Sequence, residues 1–241
     1  MSALSDLLAQ PFLLKPDGEI LGEDFLNDAP NPPVPAPGTR LGRYVEALLE
    51  HAIRARGLPY AARIPVRRGN ETLGELDFVF QKEDGSWEHW EVAYKLYLYH
   101  PAIAKADSFA DFIGPNNKDR LDLKLGHMRR QQLALASTPE AVKAIRERLP
   151  DFDPNRLRSR IWLKGRLFLP EGSSFPPHPG LNPHALTGTW GTRPLHGAPM
   201  ERTEAFRLNS PAQNVQLIEP QGDPILLNTG KTFHYLCSLA Q

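Results

Sequence analysis

The 241-residue sequence contains a single cysteine, Cys237, and has no long uninterrupted hydrophobic run. One thiol excludes an internal disulfide and a metal centre built from several thiolates. Cys237 lies in an apolar run near the C-terminus, so we interpret it as a plain thiol rather than a nucleophile. No stretch approaches the length of a membrane span, and the N-terminus lacks a basic start and a small-residue cleavage site. We therefore expect a cytoplasmic protein without membrane contact.

An excess of charge is also missing, because 28 basic residues balance 28 acidic residues. Proteins that hold DNA through many phosphates usually carry a basic excess, so neutrality counts against strong non-specific DNA binding without excluding a local basic patch. A Walker loop, a dinucleotide-binding glycine fingerprint and a Gly-x-Ser-x-Gly elbow are lacking as well. The sequence thus gives no support to kinase, dehydrogenase or serine hydrolase activity.

Length and proline content indicate how the chain is organised. With 41% hydrophobic residues, 241 residues suffice for one full core and a small appendage. Residues 1–39 form an N-terminal segment that includes a proline-rich linker at 30–37, which fits neither a helix nor a central strand. Residues 40–170 carry the regular patterns of an α/β core. Residues 171–241 form an irregular extension that begins with a long loop rich in proline, glycine and histidine.

Residue periodicity gives the core the element order α-β-β-β-α-(α)-β. Apolar residues at helical spacing predict helices, and short β-rich or alternating runs predict strands. The predicted helices are 41–56, 118–137 and 139–149, and the predicted strands are 61–66, 72–80, 87–98 and 160–169. Short strand-like runs are indicated in the extension at 215–218, 225–227 and 232–236.

The turn at residues 83–85 predicts how the two central strands pair. A three-residue hairpin loop favours a type I turn followed by a glycine in the left-handed conformation, which Gly85 supplies. Residues whose numbers sum to 168 then stand opposite each other. In this register one face of the hairpin is continuously apolar, and Asp77 lies directly opposite Glu91 on the other face.

Two carboxylates at facing positions need a compensating charge. Their Cβ atoms would lie about 4.5–5.5 Å apart, where like charges repel. Lys95, four residues beyond Glu91 on the same face, is one source of compensation. A divalent cation is the other, and carboxylate oxygens suit Mg²⁺ or Mn²⁺. The simpler alternative is an ordinary solvated polar face with a weak ion pair between Glu75 and Lys95.

A family resemblance favours the functional interpretation. The helix with Glu46, the segment Gly74-Glu75-Leu76-Asp77, the strand Glu91-Val92-Ala93-Tyr94-Lys95 and the helix that follows resemble the PD-(D/E)XK nuclease superfamily. More closely, the chain resembles an uncharacterised bacterial family grouped with that superfamily, the domain of unknown function 1853. The resemblance covers about residues 40–170, and the stretches that suggest it are 91–98 and 112–121.

The resemblance implies a restriction-endonuclease-like αβββαβ core with a central mixed sheet flanked by helices. It also implies metal-assisted hydrolysis of phosphodiester bonds in DNA or RNA, with Asp77 and Glu91 holding Mg²⁺ or Mn²⁺. Glu46 would complete the metal shell directly or through water. Lys95 would orient the attacking water or offset developing negative charge.

The lysine departs from the superfamily pattern. The usual motif places it two residues after the acid, where this chain has Ala93, and Lys95 follows two residues later. Two residues of strand span about 6.6 Å, so a long side chain or a β-bulge would have to correct the displacement. A catalytically inactive core that binds nucleic acid or a protein partner is therefore the alternative hypothesis.

Other polar and aromatic side chains are candidates for substrate contacts. Lys124, His127 and Gln131 follow i, i+3 and i+7 spacing on the second long helix, which indicates either a flank of the site or a solvated face. The loop histidines lack the spacing of a zinc site. Trp190 is either a stacking platform for a base or, more simply, an anchored loop aromatic. The loop histidines are His178, His184 and His196.

Overall fold

The structure, a computed structural model, describes residues 3–22, 26, 40–101, 109–115, 117–170, 172–174, 178–191, 198–199, 225–228 and 233–236. The helices within these ranges are Ala3–Leu8 (α1), Leu41–Ala55 (α2), Leu121–His127 (α3) and Pro139–Arg146 (α4), and a π-helical segment, Met128–Leu133, continues α3. The strands are Tyr60–Arg68 (β1), Glu71–Gln81 (β2), Trp87–Tyr99 (β3), Phe112–Ile113 (β4), Leu157–Pro170 (β5), Leu186–Gly191 (β6), Ala198–Pro199 (β7), Ile225–Asn228 (β8) and Phe233–Leu236 (β9).

The fold is mixed α/β, with a central mixed sheet flanked by helices. Within the described residues the strand order is β1-β2-β3-β5-β6-β9-β8-β7, and β4 pairs with β3 outside this path. β1, β2 and β3 are antiparallel neighbours, whereas β5 pairs with β3 in parallel. Parallel neighbours need a crossover connection, which α3, the π-helical segment and α4 provide. The observed order α2-β1-β2-β3-β4-α3-α4-β5 agrees with the periodicity of the sequence, except that the two-residue strand β4 was not predicted.

The β2–β3 hairpin has the register that its turn predicts. Phe78 pairs with Trp90, and the next three pairs toward the turn keep a sum of 168. Gly85 adopts a φ of 75°, the left-handed conformation that the three-residue loop requires. Its N–H donates to the carbonyl oxygen of Lys82 at 2.9 Å. Local turn chemistry therefore sets which side chains of β2 and β3 share a face.

The two faces of β3 pack against different helices. Trp90 and Tyr94 belong to a core with the apolar side of α2, whereas Ala93 and Tyr97 pack with α3 and the π-helical segment. α4 covers β1 and β2. Burying a large apolar side chain contributes roughly 1.5–3 kcal/mol, so these two layers hold the sheet from both sides. The odd-numbered side chains in the second half of β3, such as Ala93 and Tyr97, consequently face α3.

Residues 3–22 are part of the same core. The leucines of α1 pack with α2, and the N–H of Leu13 donates to the carbonyl oxygen of Leu163 at 3.0 Å. Lys164 on β5 is buried, and its Nζ donates to the carbonyl oxygen of Leu8 at 2.7 Å. The ammonium group also lies 4.7 Å from the ring centroid of Phe12. The N-terminal segment thus supplies contacts that stabilise a buried cation of the central sheet.

Two predictions from the sequence need correction. The single helix predicted at 118–137 is an α-helix, Leu121–His127, followed by the π-helical segment Met128–Leu133. The sequence did not predict this change, because i+5 hydrogen bonding leaves no clear mark in the apolar spacing. The loop predicted to be without regular structure contains β6, which pairs along the parallel edge of β5. The runs at 225–227 and 232–236 are strands, as predicted. The linker at 30–37, the run at 215–218, His196 and Cys237 lie outside the described residues.

Gly165 marks the closest approach of β5 to β3. Its φ is 151°, and a Cβ atom at this position would stand 1.8 Å from the carbonyl oxygen of Lys95. The backbone of Lys95 cannot yield, because β3 is paired along its length with β5. Only glycine therefore fits this position of the sheet.

Gly165→Ala is expected to lower the free energy of unfolding by about 3 kcal/mol or more, since backbone strain adds to steric overlap. Urea denaturation followed by circular dichroism measures the change. Gly42→Ala is the matched control, because a Cβ atom there meets nothing within 4 Å and alanine favours the helix. A Gly165→Ala protein as stable as wild type would contradict the close approach of the two strands.

Candidate acidic site between the sheet and helix α3

Glu91 is completely buried on the face of β3 that turns toward α3. Its Oε1 lies 2.9 Å from Nε2 of His89, and Nε2 of Gln132 donates to its Oε2. Burial raises the pKa of Glu91 to about 7, although the positive charge of Lys124 opposes this rise. The carboxyl group is thus enclosed by hydrogen-bonding side chains rather than by water.

Asp77 lies at the point where β2 and β3 separate. The last ladder pair is Phe78 with Trp90, and beyond it Oδ2 of Asp77 accepts the N–H of Val92 at 2.8 Å. On the other side of β2, Arg63 stands opposite Asp77 with a φ of 50°, which is uncommon for a residue other than glycine. The β1–β2 ladder and the β2–β3 ladder therefore both lack a residue pair at Asp77. Its half-buried carboxyl group accepts the N–H of Val92 in place of a main-chain carbonyl oxygen.

The carboxyl groups of Asp77 and Glu91 interact directly. Burial raises the pKa of Asp77 to about 7, and the negative charge of Glu91 adds to this effect. Hydrogen bonds from Asp77 lower the pKa of Glu91, but burial raises this pKa by more. Two carboxyl groups this closely coupled titrate as a pair, so they retain protons near neutral pH.

The π-helical segment brings Lys124 and Gln132 to this pair. Nζ of Lys124 donates to Oε1 of Gln132 at 3.3 Å, while the amide group of Gln132 reaches Glu91. In a continuous α-helix, residues eight apart differ by about 80° around the axis, since each residue turns the helix by about 100°. The wider turn of the π-helix reduces this difference. Burial, then the charge of Lys95, lowers the pKa of Lys124.

Lys95 has a different partner. It lies on the Glu91 face of β3, but its Nζ forms an ion pair with Oδ2 of Asp119 at 2.5 Å. Lys124 is therefore the ammonium group that hydrogen-bonds into the acidic cluster, through Gln132. The side chains of His127 and Gln131 are exposed to solvent, so of the three predicted substrate-contact residues only Lys124 lies in the cluster.

Glu46 approaches Asp77 from the α2 layer. Its carboxylate pairs with Arg43 at 2.9 Å, and its charge contributes less than burial and Glu91 to the raised pKa of Asp77. Among the residues that the structure describes, no three His, Cys, Asp or Glu side chains group closely enough to hold a metal ion. Glu46 thus does not join Asp77 and Glu91 in a three-carboxylate cluster, because α2 packs on the other face of the sheet.

The sequence interpretation missed His89 and Gln132. His89 is completely buried, its Nδ1 lies 3.1 Å from Oγ of Ser159, and burial lowers its pKa to about 4. Its position two residues before Glu91 on a strand was a usable signal, since alternate residues share a face. Gln132 carried no such signal, because its orientation depends on the π-helical segment.

The aromatic and histidine candidates of the long loop have structural contacts instead. The indole N–H of Trp190 donates to the carbonyl oxygen of Tyr99 at 3.0 Å, and its ring centroid lies 4.6 Å from that of His100. His178 stacks on Phe109, and His184 is exposed. These contacts support the simpler interpretation of Trp190 as an anchored loop aromatic.

Comparison with known proteins gives a match to a family model. The model of the Domain of unknown function (DUF1853) matches residues 24–209. No curated protein and no solved structure gives a significant match. Within the described part of the chain, every helix is too short or too polar to cross a membrane.

The raised pKa values of Asp77 and Glu91 predict that stability falls as pH rises. The unfolded chain releases these protons near pH 4, whereas the folded pair retains them up to about pH 7. The two carboxyl groups of the folded state bind protons that the unfolded chain has lost, which outweighs the one proton that buried His89 gives up on folding, so the free energy of unfolding decreases across this window. Urea denaturation in the presence of a chelator measures this decline.

Asp77→Asn is expected to flatten the decline, because the amide cannot ionise yet still accepts the N–H of Val92. Glu71→Gln is the matched control, since it removes an exposed carboxylate from the far end of the same strand and should leave the slope unchanged. An Asp77→Asn protein with the wild-type pH dependence would show that the two carboxyl groups do not share protons.

Proposed function

The chain belongs to the DUF1853 family, and we propose that it is a metal-dependent nuclease-like enzyme that hydrolyses phosphodiester bonds of DNA or RNA in the cytoplasm. The observation that carries the proposal is the meeting of Asp77 and Glu91 at the break between β2 and β3, next to Lys124. Two enclosed carboxyl groups with raised pKa values are poised to lose their protons to a divalent cation, whose charge would stabilise both ionised groups.

The donor atoms of this site suit Mg²⁺ or Mn²⁺. Mg²⁺ is usually held by one or two carboxylates together with water and substrate phosphate, so a third protein carboxylate is not required. The carboxyl group of Glu91 contacts His89, Gln132 and Asp77, and an ionised carboxylate has lone pairs beyond those that two donors occupy. Asp77 uses Oδ2 for the N–H of Val92, and a cation would replace its hydrogen bond to Glu91. Glu46 would act through water.

When bound, the metal ion would lower the pKa of a water molecule and offset charge on the phosphate. Asp77 and Glu91 would hold the ion, and His89 and Gln132 would orient Glu91. Lys124 would take the role that the sequence suggests for Lys95, because its ammonium group lies beside the acid pair and its lowered pKa suits proton transfer. His127 and Gln131, exposed on the same helical stretch, would contact the nucleic acid backbone.

A restriction-endonuclease-like core is part of this proposal. The element order α2-β1-β2-β3-β4-α3-α4-β5 supports it, as does the location of the two acids on adjacent strands of the central sheet. The match to the DUF1853 model, over residues 24–209, covers the whole of this core.

A second candidate is a non-catalytic module that binds nucleic acid or a protein partner. It is favoured by the ion pair between Lys95 and Asp119, and by the hydrogen bonds that already engage both oxygens of Glu91. In this candidate the acid pair would stabilise the fold and the surface around α3 would bind.

A cleavage assay distinguishes the two candidates. Single- and double-stranded DNA and RNA are incubated with wild type, Asp77→Ala and the control Glu71→Ala in Mg²⁺, in Mn²⁺ and in EDTA. We expect cleavage that needs the cation, falls about 100-fold or more in Asp77→Ala and persists in Glu71→Ala. Equal cleavage by wild type and Asp77→Ala would reject the nuclease, and binding without cleavage would favour the second candidate.

The two lysines are separated by Lys124→Met and Lys95→Met. We expect Lys124→Met to lower kcat about 100-fold and Lys95→Met to have a much smaller effect, because only Lys124 hydrogen-bonds into the acidic cluster. Single-turnover cleavage of the preferred substrate measures both rates. A larger fall of kcat in Lys95→Met than in Lys124→Met would show that Lys95 is the catalytic lysine.

A further inference from the structure

A chain of hydrogen bonds runs from Ser159 through His89 to Glu91. Oγ of Ser159 lies 3.1 Å from Nδ1 of His89, and Nε2 of the same ring lies 2.9 Å from Oε1 of Glu91. His89 and Glu91 have no exposed surface, whereas Ser159 is partly exposed at the start of β5. The chain thus connects the enclosed carboxyl group to the edge of the core.

The backbone holds both ends of this chain in place. His89 and Ser159 are register partners on the parallel strands β3 and β5, and Glu91 follows His89 on the same face of β3. The imidazole ring therefore lies between two groups whose main chains are fixed by ladder hydrogen bonds. Such an arrangement leaves the ring little freedom to rotate.

The chemistry of the three groups defines the direction of each hydrogen bond. An ionised carboxylate only accepts, so Nε2 of His89 must carry the hydrogen when Glu91 is ionised. Nδ1 is then the acceptor for the hydroxyl hydrogen of Ser159. The ionised carboxylate of Glu91 therefore selects the tautomer of His89, and the hydroxyl group of Ser159, which can donate or accept, stabilises it by donating to Nδ1.

Glu91 is held from a second direction by Gln132. The amide group of Gln132 donates to Oε2, Nε2 of His89 lies against Oε1, and hydrogen bonds from Asp77 add to these contacts. Partners on both oxygens fix the plane of the carboxyl group. Removing either donor would free the group to rotate about its last side-chain torsion.

We propose that His89 and Ser159 are positioning residues that hold the Glu91 carboxylate in the orientation that binds a divalent cation. This inference rests on the proposed function of the acid pair. Neither residue touches the cation; each acts through Glu91. Loss of such an outer partner typically weakens metal binding by about 10–100-fold.

Isothermal titration with Mn²⁺ alone tests the proposal through a matched pair of variants. The amide nitrogen of glutamine reaches the position of Nε2, so His89→Gln preserves the donor to Glu91. Asparagine reaches only the position of Nδ1, so His89→Asn preserves the contact with Ser159 and loses the donor. We expect near wild-type Mn²⁺ affinity in His89→Gln and a loss of about 10–100-fold in His89→Asn.

Two results of this titration would overturn the positioning role. One is wild-type affinity in His89→Asn, and the other is an equal loss in both variants, which would indicate packing of the ring rather than its donor. Thermal unfolding in EDTA checks that each variant is folded. If His89→Asn does not fold, Ser159→Ala is titrated with Mn²⁺ in its place. We expect its Mn²⁺ affinity to fall severalfold, and an unchanged affinity would contradict the proposal.

A second measurement needs no metal. The ¹⁵N chemical shifts of the His89 ring in the metal-free protein at pH 8 should report the tautomer with hydrogen on Nε2. The opposite tautomer would overturn the inference.

In the titration, wild type that binds no Mn²⁺ would instead refute the proposed function, and the positioning role would be refuted with it. Wild type that binds Mn²⁺ as tightly as His89→Asn refutes the positioning role alone.

Discussion

The enclosure of two facing carboxyl groups is the constraint on which the rest of the site depends. Asp77 and Glu91 meet where β2 leaves β3, under the cover of α3 and the π-helical segment. Carboxyl groups taken out of water are costly unless other polar groups replace the solvent. The side chains and main chain around the pair meet this requirement from several elements. The groups that do so are the N–H of Val92, the imidazole of His89, the amide of Gln132 and the ammonium of Lys124.

The same constraint explains why the helix on this face is irregular. Lys124 and Gln132 both have to reach one small region of β3, and a regular α-helix would turn them away from each other. The π-helical segment Met128–Leu133 allows both contacts while its apolar side chains remain packed on the sheet. π-helical turns occur frequently at functional sites, which agrees with the proposed role of the cluster. Stability and site geometry are thus linked through a single stretch of helix.

Local patterns predicted a large part of the fold. Helices α2 and α4 and strands β1, β2, β3 and β5 lie where periodicity indicates, since apolar spacing and turn residues act over a few residues. The hairpin register followed from one turn, because Gly85 has the backbone freedom that the turn requires. Extended by one pair, that register predicts Asp77 opposite Glu91, but the ladder ends at Phe78 and Trp90, and Asp77 accepts the N–H of Val92 instead. The pairing of β6 with β5 could not be anticipated in the same way, because it joins segments far apart in the chain.

The sequence by itself determined the element order, the hairpin register and the two acids on one face, since each depends on neighbours within about a dozen residues. Only the tertiary structure decided which side chains surround those acids. Lys95 forms an ion pair with Asp119. Gln132 donates to Glu91, whereas Gln131 is exposed to solvent. Glu46 remains in the α2 layer. These outcomes depend on how separate elements pack in space, and packing is a property of the whole chain that residue spacing along one element does not contain.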